Sequence, residues 1–409
     1  MAKKTVAGAT RQHDLLKISA ACMGLALPGM VLANSLTYVL LVFGLIAGYL
    51  APGKVPVEAG WGQIMRNRGV QGALVLLAWL GFVSTIGMNP AFALNHWATT
   101  VFMFVCGCGM YQVFAKMGLD NRRDLLKWMC DSVLASFVFC ALILILENWL
   151  ILHHFYEGKD EWTQTHLRFY SSVLAVILPM CWLYWLGFKD GKLKLDVRAT
   201  GLIGLSLFMV FMCAGRAGWM GLAVSAPIMA WVLVRWQGFR PSLKLAAAGL
   251  AGTAVACVLG FLWIFGESYL QERVGMVVPA RGLGGGRLEI WAMAWKGFLE
   301  HPLFGIGVND FRFLPGADAH PHNFALQLAL EGGLPALLMT LGLVAWLAFA
   351  WKRGMRTNPL LLTCFAGLMG FFVCALTNKS IFNPEWLVYP AFIVALGAST
   401  FVRKANVKV

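Results

Sequence analysis

Along most of this chain apolar residues run in long unbroken blocks, and polar residues are confined to short stretches between them. A helix that crosses a bilayer needs about 20 apolar residues. On that measure the blocks predict helical spans near 15–33, 36–52, 71–88, 97–115, 129–148, 171–188, 200–214, 218–234, 245–265, 334–351, 359–376 and 387–402. The expected fold is therefore an all-α polytopic membrane protein with about twelve transmembrane helices. The apolar run over 200–234 would reach roughly 52 Å as a single helix, against a hydrocarbon core of about 30 Å. It must fold back, and Gly215-Arg216-Ala217-Gly218 is the turn, with Arg216 at its apex.

Residues 266–333 break the pattern, dividing the chain into spans one to nine (1–265), a large loop (266–333) and spans ten to twelve (334–409). Gly282, Gly284, Gly285 and Gly286 give a flexible approach to the polar heart of this loop. Leu288, Trp291, Trp295, Phe298 and Leu299 then recur at helical spacing until Pro302, which predicts an amphipathic helix at the membrane interface. Gly305 and Gly307 mark turns. After His320-Pro321-His322-Asn323 the helical pattern resumes with Asn323, Gln327 and Glu331 on one face, and Gly332, Gly333 and Pro335 interrupt it before the next span.

Composition changes the picture little: 59% hydrophobic and 13% charged residues is far from a soluble domain. The net charge of +14 has a topological cause. With the N-terminus cytoplasmic, 24 of the 33 basic residues fall on inner segments, as the positive-inside rule requires. Both termini are then cytoplasmic, and the large loop lies on the outer face. No basic stripe with interleaved aromatics suggests nucleic acid. Lys3, Lys4, Arg11 and Lys17 precede an apolar run that leads straight into a second, so a retained N-terminus is expected. The ten cysteines lie in apolar runs and read as small core residues. Cations on the outer side are the ones that topology leaves unexplained, and they are the candidates for function.

Three motifs carry a resemblance: GRAGWMGL at 215–222, GRLEIWAMAWKGFLEHPLFGIGVNDF at 286–311, and His322 with Gly333 beyond ten intervening residues. Together they resemble the O-antigen ligase and polymerase superfamily of bacterial polytopic glycosyltransferases, most nearly its ligase branch. The resemblance covers the second half of the chain by motif and the whole chain by topology, with the large loop between helices nine and ten on the periplasmic side. It implies a GT-C-like, inverting, metal-independent transfer of O-antigen polysaccharide from undecaprenyl-pyrophosphate to lipid A–core, at the periplasmic face of a Gram-negative inner membrane. It also implies roles: His322 matches the proposed catalytic histidine, Arg287 the large-loop arginine and Arg216 the arginine of the preceding turn. The family's loop motif often reads Arg, three residues, Leu, whereas Trp291 stands at that spacing here; Arg281 is a competing choice.

The residue types suit that chemistry. A departing pyrophosphate gathers negative charge, and arginine offers a permanent charge with paired hydrogen bonds to phosphate oxygens. Two such groups in a poorly hydrated site could each contribute a few kcal/mol and stand in for a metal. The acceptor hydroxyl must lose its proton, and a neutral imidazole at a helix N-terminus, where the dipole disfavours a cation, is suited to take it. Arg168, in the 150–170 loop, and His320 and Asn323, beside His322, are further substrate-binding candidates. The bland alternatives are lipid-headgroup anchors for the arginines and a helix cap for the histidine. His320-x-His322 has metal-like spacing, but only Asp318 stands near it, and no Asp-x-Asp occurs, so neither a metal nor another cofactor is expected. Rival readings are an O-antigen polymerase or protein O-oligosaccharyltransferase of the same superfamily and, from a different class, a polytopic transporter or flippase.

Overall fold

In the computed structural model, residues 2–29, 34–152, 161–187, 197–213, 216–236, 287–317, 320–377, 380, 382 and 384–402 are described. The described residues are helical with no strand among them, as the long apolar blocks require. Four of their helices are long and apolar enough to cross a membrane: Arg68–Thr85, Pro90–Lys116, Phe324–Trp351 and Pro359–Thr377. Shorter apolar helices occupy Leu36–Leu50, Phe169–Trp185, Arg198–Val210, Ala217–Trp231 and Trp386–Ser399. The expected span 245–265, the glycines before Arg287 and Arg281 itself lie outside the described residues.

The chain forms two compact units, Met1–Lys54 with Lys116–Ala280, and Val55–Ala115 with Arg281–Val409. In the first, helix Ala2–Gly29 packs on Asn34–Leu50 and Leu119–Leu152. Its polar side chains bond to backbone: Ser19 Oγ donates to Gly44 O at 2.7 Å and Thr37 Oγ1 to Ala26 O at 2.9 Å. Helix Glu161–Trp185 is buried from Tyr170 through Leu183. It rests on Val197–Met212 and Arg216–Trp236. The predicted break in the 200–234 run is present, since these are two helices, and Trp219 Nε1 donates across the turn to Val210 O at 2.8 Å.

In the second unit Arg68–Thr85 and Phe324–Trp351 lie antiparallel. A Cβ on Gly69 would strike the Trp346 ring, one on Gly72 would meet Leu343, and one on Gly332 would sit 3.0 Å from Leu80. Small residues on one helix thus admit large ones from the other, the usual device where helices associate in lipid. Phe371 stacks on Trp386 (5.0 Å, 20°) to join Pro359–Thr377 to Pro384–Ser399. The site described next is built at the end of this unit where Thr85, Pro90 and Phe324 come together.

Candidate active site

The loop helix runs Arg287–Glu300 and stops before Pro302, as its periodicity predicts. The face it buries is made largely of small residues. Ala294 and Gly297 are buried, and Ala294 joins Ile306, Phe311 and Leu330 in an apolar cluster flanked by Ile290, Met293 and Phe298. Leu288, Trp295 and Leu299 face outward. This segment is therefore a miniature two-layer structure, a helix laid over the loop that follows it.

That loop closes over a break in helix Phe324–Trp351. At Gly333 the backbone turns to φ 74°, ψ 177°, a conformation open in practice only to glycine. The break leaves carbonyls without helical donors, and Pro335 has no N–H to offer Glu331 O. Each exposed group is paired from outside. Ile306 N donates to Leu330 O (2.9 Å), Gly307 N to Glu331 O (3.1 Å), Trp79 Nε1 to Gly332 O (2.7 Å), and Leu334 N to Pro302 O (2.8 Å). The positive φ of Gly305 and Gly307 lets the loop approach this closely.

Inside the joint lies Glu331, fully buried. Its carboxyl oxygens accept from Asn309 N (2.8 Å), Phe311 N (3.3 Å) and Gln327 Nε2 (3.1 Å). Gln327 Nε2 also reaches Ser380 Oγ at 2.9 Å, tying in the segment after Pro359–Thr377. Next to it, Asp310 Oδ2 accepts from Asn89 N at 2.9 Å, while Asp310 Oδ1 is buried with no hydrogen-bond partner among the described residues. Burial raises the Asp310 carboxyl above the usual carboxylate range, and the backbone N–H groups of Asn89 and Met88, with Arg312, pull the other way. Arg312 itself lies over the Phe92 ring at 4.9 Å.

His322 stands where the loop re-enters the helix. Asn323 is the N-cap, its Oδ1 accepting from Ala325 N (3.0 Å) and Leu326 N (3.2 Å), so His322 lies immediately outside the first turn as expected. It is half-buried and left-handed at φ 54°, unusual for a residue with a side chain. His320 lies beside it, ring centroids 4.1 Å apart. Trp291 Nε1 donates to Pro321 O at 3.0 Å, pinning the loop helix to the residue before His322. Arg287, half-buried, is one turn earlier on that face. The structure thus brings Arg287, His320, His322 and Asn323 into one unit. Arg216 opens helix Arg216–Trp236 and Arg168 lies in Glu161–Trp185, both in the first unit. Among the described residues no group of three or more His, Cys, Asp or Glu could hold a metal ion.

The spacing of Asn323, Gln327 and Glu331 is visible in the sequence, but their partners are not. Asn309 and Phe311, Ser380 and, for the neighbouring Gly332, Trp79 come from three separate stretches, and no local signal singles them out.

Residues 201–341 match the family model described as O-antigen ligase. Among curated proteins, the O-antigen ligase of Pseudomonas aeruginosa is 24% identical over 282 residues, covering 62% of this chain and 64% of that protein. Teichuronic acid biosynthesis protein TuaE of Bacillus subtilis is 20% identical over 330 residues, covering 73% of this chain and 67% of that protein. The match to the Pseudomonas ligase thus leaves about a third of that protein's length uncovered. The matched segment contains Arg216, Arg287, His322 and the glycine break at 333, and over that segment the chain is similar to the O-antigen ligase family.

Proposed function

We propose that this protein is an O-antigen ligase, transferring polysaccharide from undecaprenyl-pyrophosphate to lipid A–core at the periplasmic leaflet of the inner membrane. The transfer is inverting and needs no metal. In this reading twelve helices cross the membrane, both termini are cytoplasmic, and residues 266–333 form the large loop between the ninth and tenth. Arg287 and Arg216 hold the donor pyrophosphate, and His322 accepts the proton of the attacking sugar hydroxyl as C1 is displaced from phosphate with inversion. Arg168, His320 and Asn323 line the substrates' path, and Arg281 supports the phosphates.

One observation carries the reading. The indole bond from Trp291 to Pro321 O locks the helix of Arg287 to the residue before His322, so an anion-binding group and a base are held together on a rigid joint. Polar side chains kept on the outer loop of an otherwise apolar chain fit a charged, lipid-borne substrate. A second reading is a polymerase of the same superfamily, differing in acceptor; the similarity to TuaE, named for teichuronic acid biosynthesis, leaves the glycan open.

The test is transfer by purified protein given undecaprenyl-pyrophosphate glycan and rough lipopolysaccharide. His322→Ala, Arg287→Ala and Arg216→Ala are each expected to lower product by at least about 100-fold while eluting as folded protein, the scale seen on removing one preorganised catalytic donor. Activity is expected to persist in EDTA. Wild-type product from all three variants would end the mechanism. In cells, a deletion that leaves core capped by a single repeat unit would select the polymerase.

A further inference from the structure

The hairpin that closes over the helix break presents an apolar surface of its own. Leu303 is 58% exposed and Phe304 45%, both on the turn between the loop helix and Gly305. Phe304 stacks on Trp79 (5.8 Å, 23°) and meets Phe82 edge-on (6.1 Å, 71°). Trp79 and Phe82 belong to Arg68–Thr85, a helix of 18 residues and so about 27 Å, barely the thickness of a hydrocarbon core. Trp79 is six residues from its end, which puts the hairpin tip alongside a point about 9 Å inward of Thr85. On the other flank Leu303 lies against Gly333, and Leu334 and Leu338 continue the outward apolar strip along the next membrane-crossing helix.

We propose that residues 302–305 are a re-entrant tip that dips beneath the headgroups and is covered by the acyl chains of the bilayer. Two independent features support lipid as the occupant. The exposed side chains are continuous with the outward faces of two membrane-crossing helices. The backbone around the break is also hydrogen-bonded internally, through Pro302 O, Ile306 N, Gly307 N and the Trp79 indole, and at the tip Gly305 N donates to His301 O at 3.0 Å. Irregular backbone survives at membrane depth only when its polar groups are satisfied by protein. The consequence is an anchored roof: the segment that carries Arg287 on one side and leads to His322 on the other is fixed in depth by lipid, whichever glycan is transferred.

The experiment places a nitroxide at Leu303, at Leu334 and, as a reference, at exposed Glu300, using a ketone-bearing noncanonical residue so that the native cysteines stay untouched. Each labelled protein is reconstituted in phosphatidylethanolamine–phosphatidylglycerol vesicles, and its collision rates with oxygen and with a water-soluble nickel chelate are compared. Oxygen-to-nickel ratios at Leu303 and Leu334 at least about fivefold above that at Glu300 are expected. A ratio at Leu303 equal to or below that of Glu300 places the tip in water and overturns the proposal. So does protection from both probes, which would mean that protein, such as a second copy of this chain, covers it. Because the readout needs no catalysis, it fails or succeeds independently of the ligase reading; Leu334 calibrates the ratio of a lipid-facing site on a membrane-crossing helix, and a label at Phe304, also on the tip, is used should the Leu303 label disturb the hairpin.

Discussion

In the first unit, helix Glu161–Trp185 is buried on all sides for more than three turns, and its polar contacts are single hydroxyls and an indole. Tyr170 OH meets Ser136 Oγ, and Trp182 Nε1 donates to Ser206 Oγ at 3.0 Å. The second unit, at its loop end, buries a whole carboxyl group and a broken helix, and it joins residues from positions 79, 89, 306–311, 327–334 and 380 through main-chain donors, the Trp79 indole and the Gln327 amide. Where helices only need to pack, isolated hydroxyls suffice, because a regular helix satisfies its own backbone. Where a loop must be held at a fixed place over a helix start, the backbone itself becomes the binding partner, and a carboxyl with several acceptor sites is the side chain that can receive it.

The largest effect that separates the two regions is expected at the break. Gly333→Val combines a backbone conformation closed to valine with a Cβ driven into Leu303 O, at a cost of about 3 kcal/mol or more. The variant should be lost from the monodisperse peak in detergent, and a wild-type melting curve would show that the break is not needed. Next comes Glu331→Ala, which strands two buried backbone N–H groups and leaves the Gln327 amide with Ser380 Oγ alone. At roughly 1–3 kcal/mol per stranded group it should lower the melting temperature far more than any hydroxyl deletion. Glu331→Gln, with one acceptor oxygen left, should fall between. Equal effects for Glu331→Ala and Ser206→Ala would erase the distinction drawn here.

Smaller again is Tyr170→Phe in the first unit, expected to cost about 1 kcal/mol for one hydrogen bond, read from the same melts. The smallest concerns Asp310. Its carboxyl is raised in the folded state, so between the unfolded and folded values the folded protein binds the extra proton, and stability declines as pH rises through that window. Asp310→Asn removes the titration. The stability of wild type relative to Asp310→Asn should therefore fall on going from about pH 4 upward, and a difference that is flat or rises with pH would reverse the sign argued here.

Much of this was legible locally. Apolar block length, glycine and proline placement and the 3.6-residue period locate the loop helix, the turns at Gly305 and Gly307, the interruption at Gly333 and the position of His322 beside a helix start. These depend on residues within a turn or two of one another, and local sterics decide them. Asn323 illustrates the boundary: its nearness to His322 is evident in sequence, while its capping bonds appear only once the helix start is in place.

What the chain's order of residues could not reveal is who answers whom across the fold. Asn89 and Asp310 are separated by 221 positions, Trp79 and Gly332 by 253. The apolar stripe of the loop helix likewise does not say which residues meet protein: Ala294 and Gly297 form the seam, and Leu288, Trp295 and Leu299 face outward. Periodicity says that a helix has two faces, but which face is covered depends on the volume left by Ile306, Phe311 and Leu330, and that is a property of packing in three dimensions.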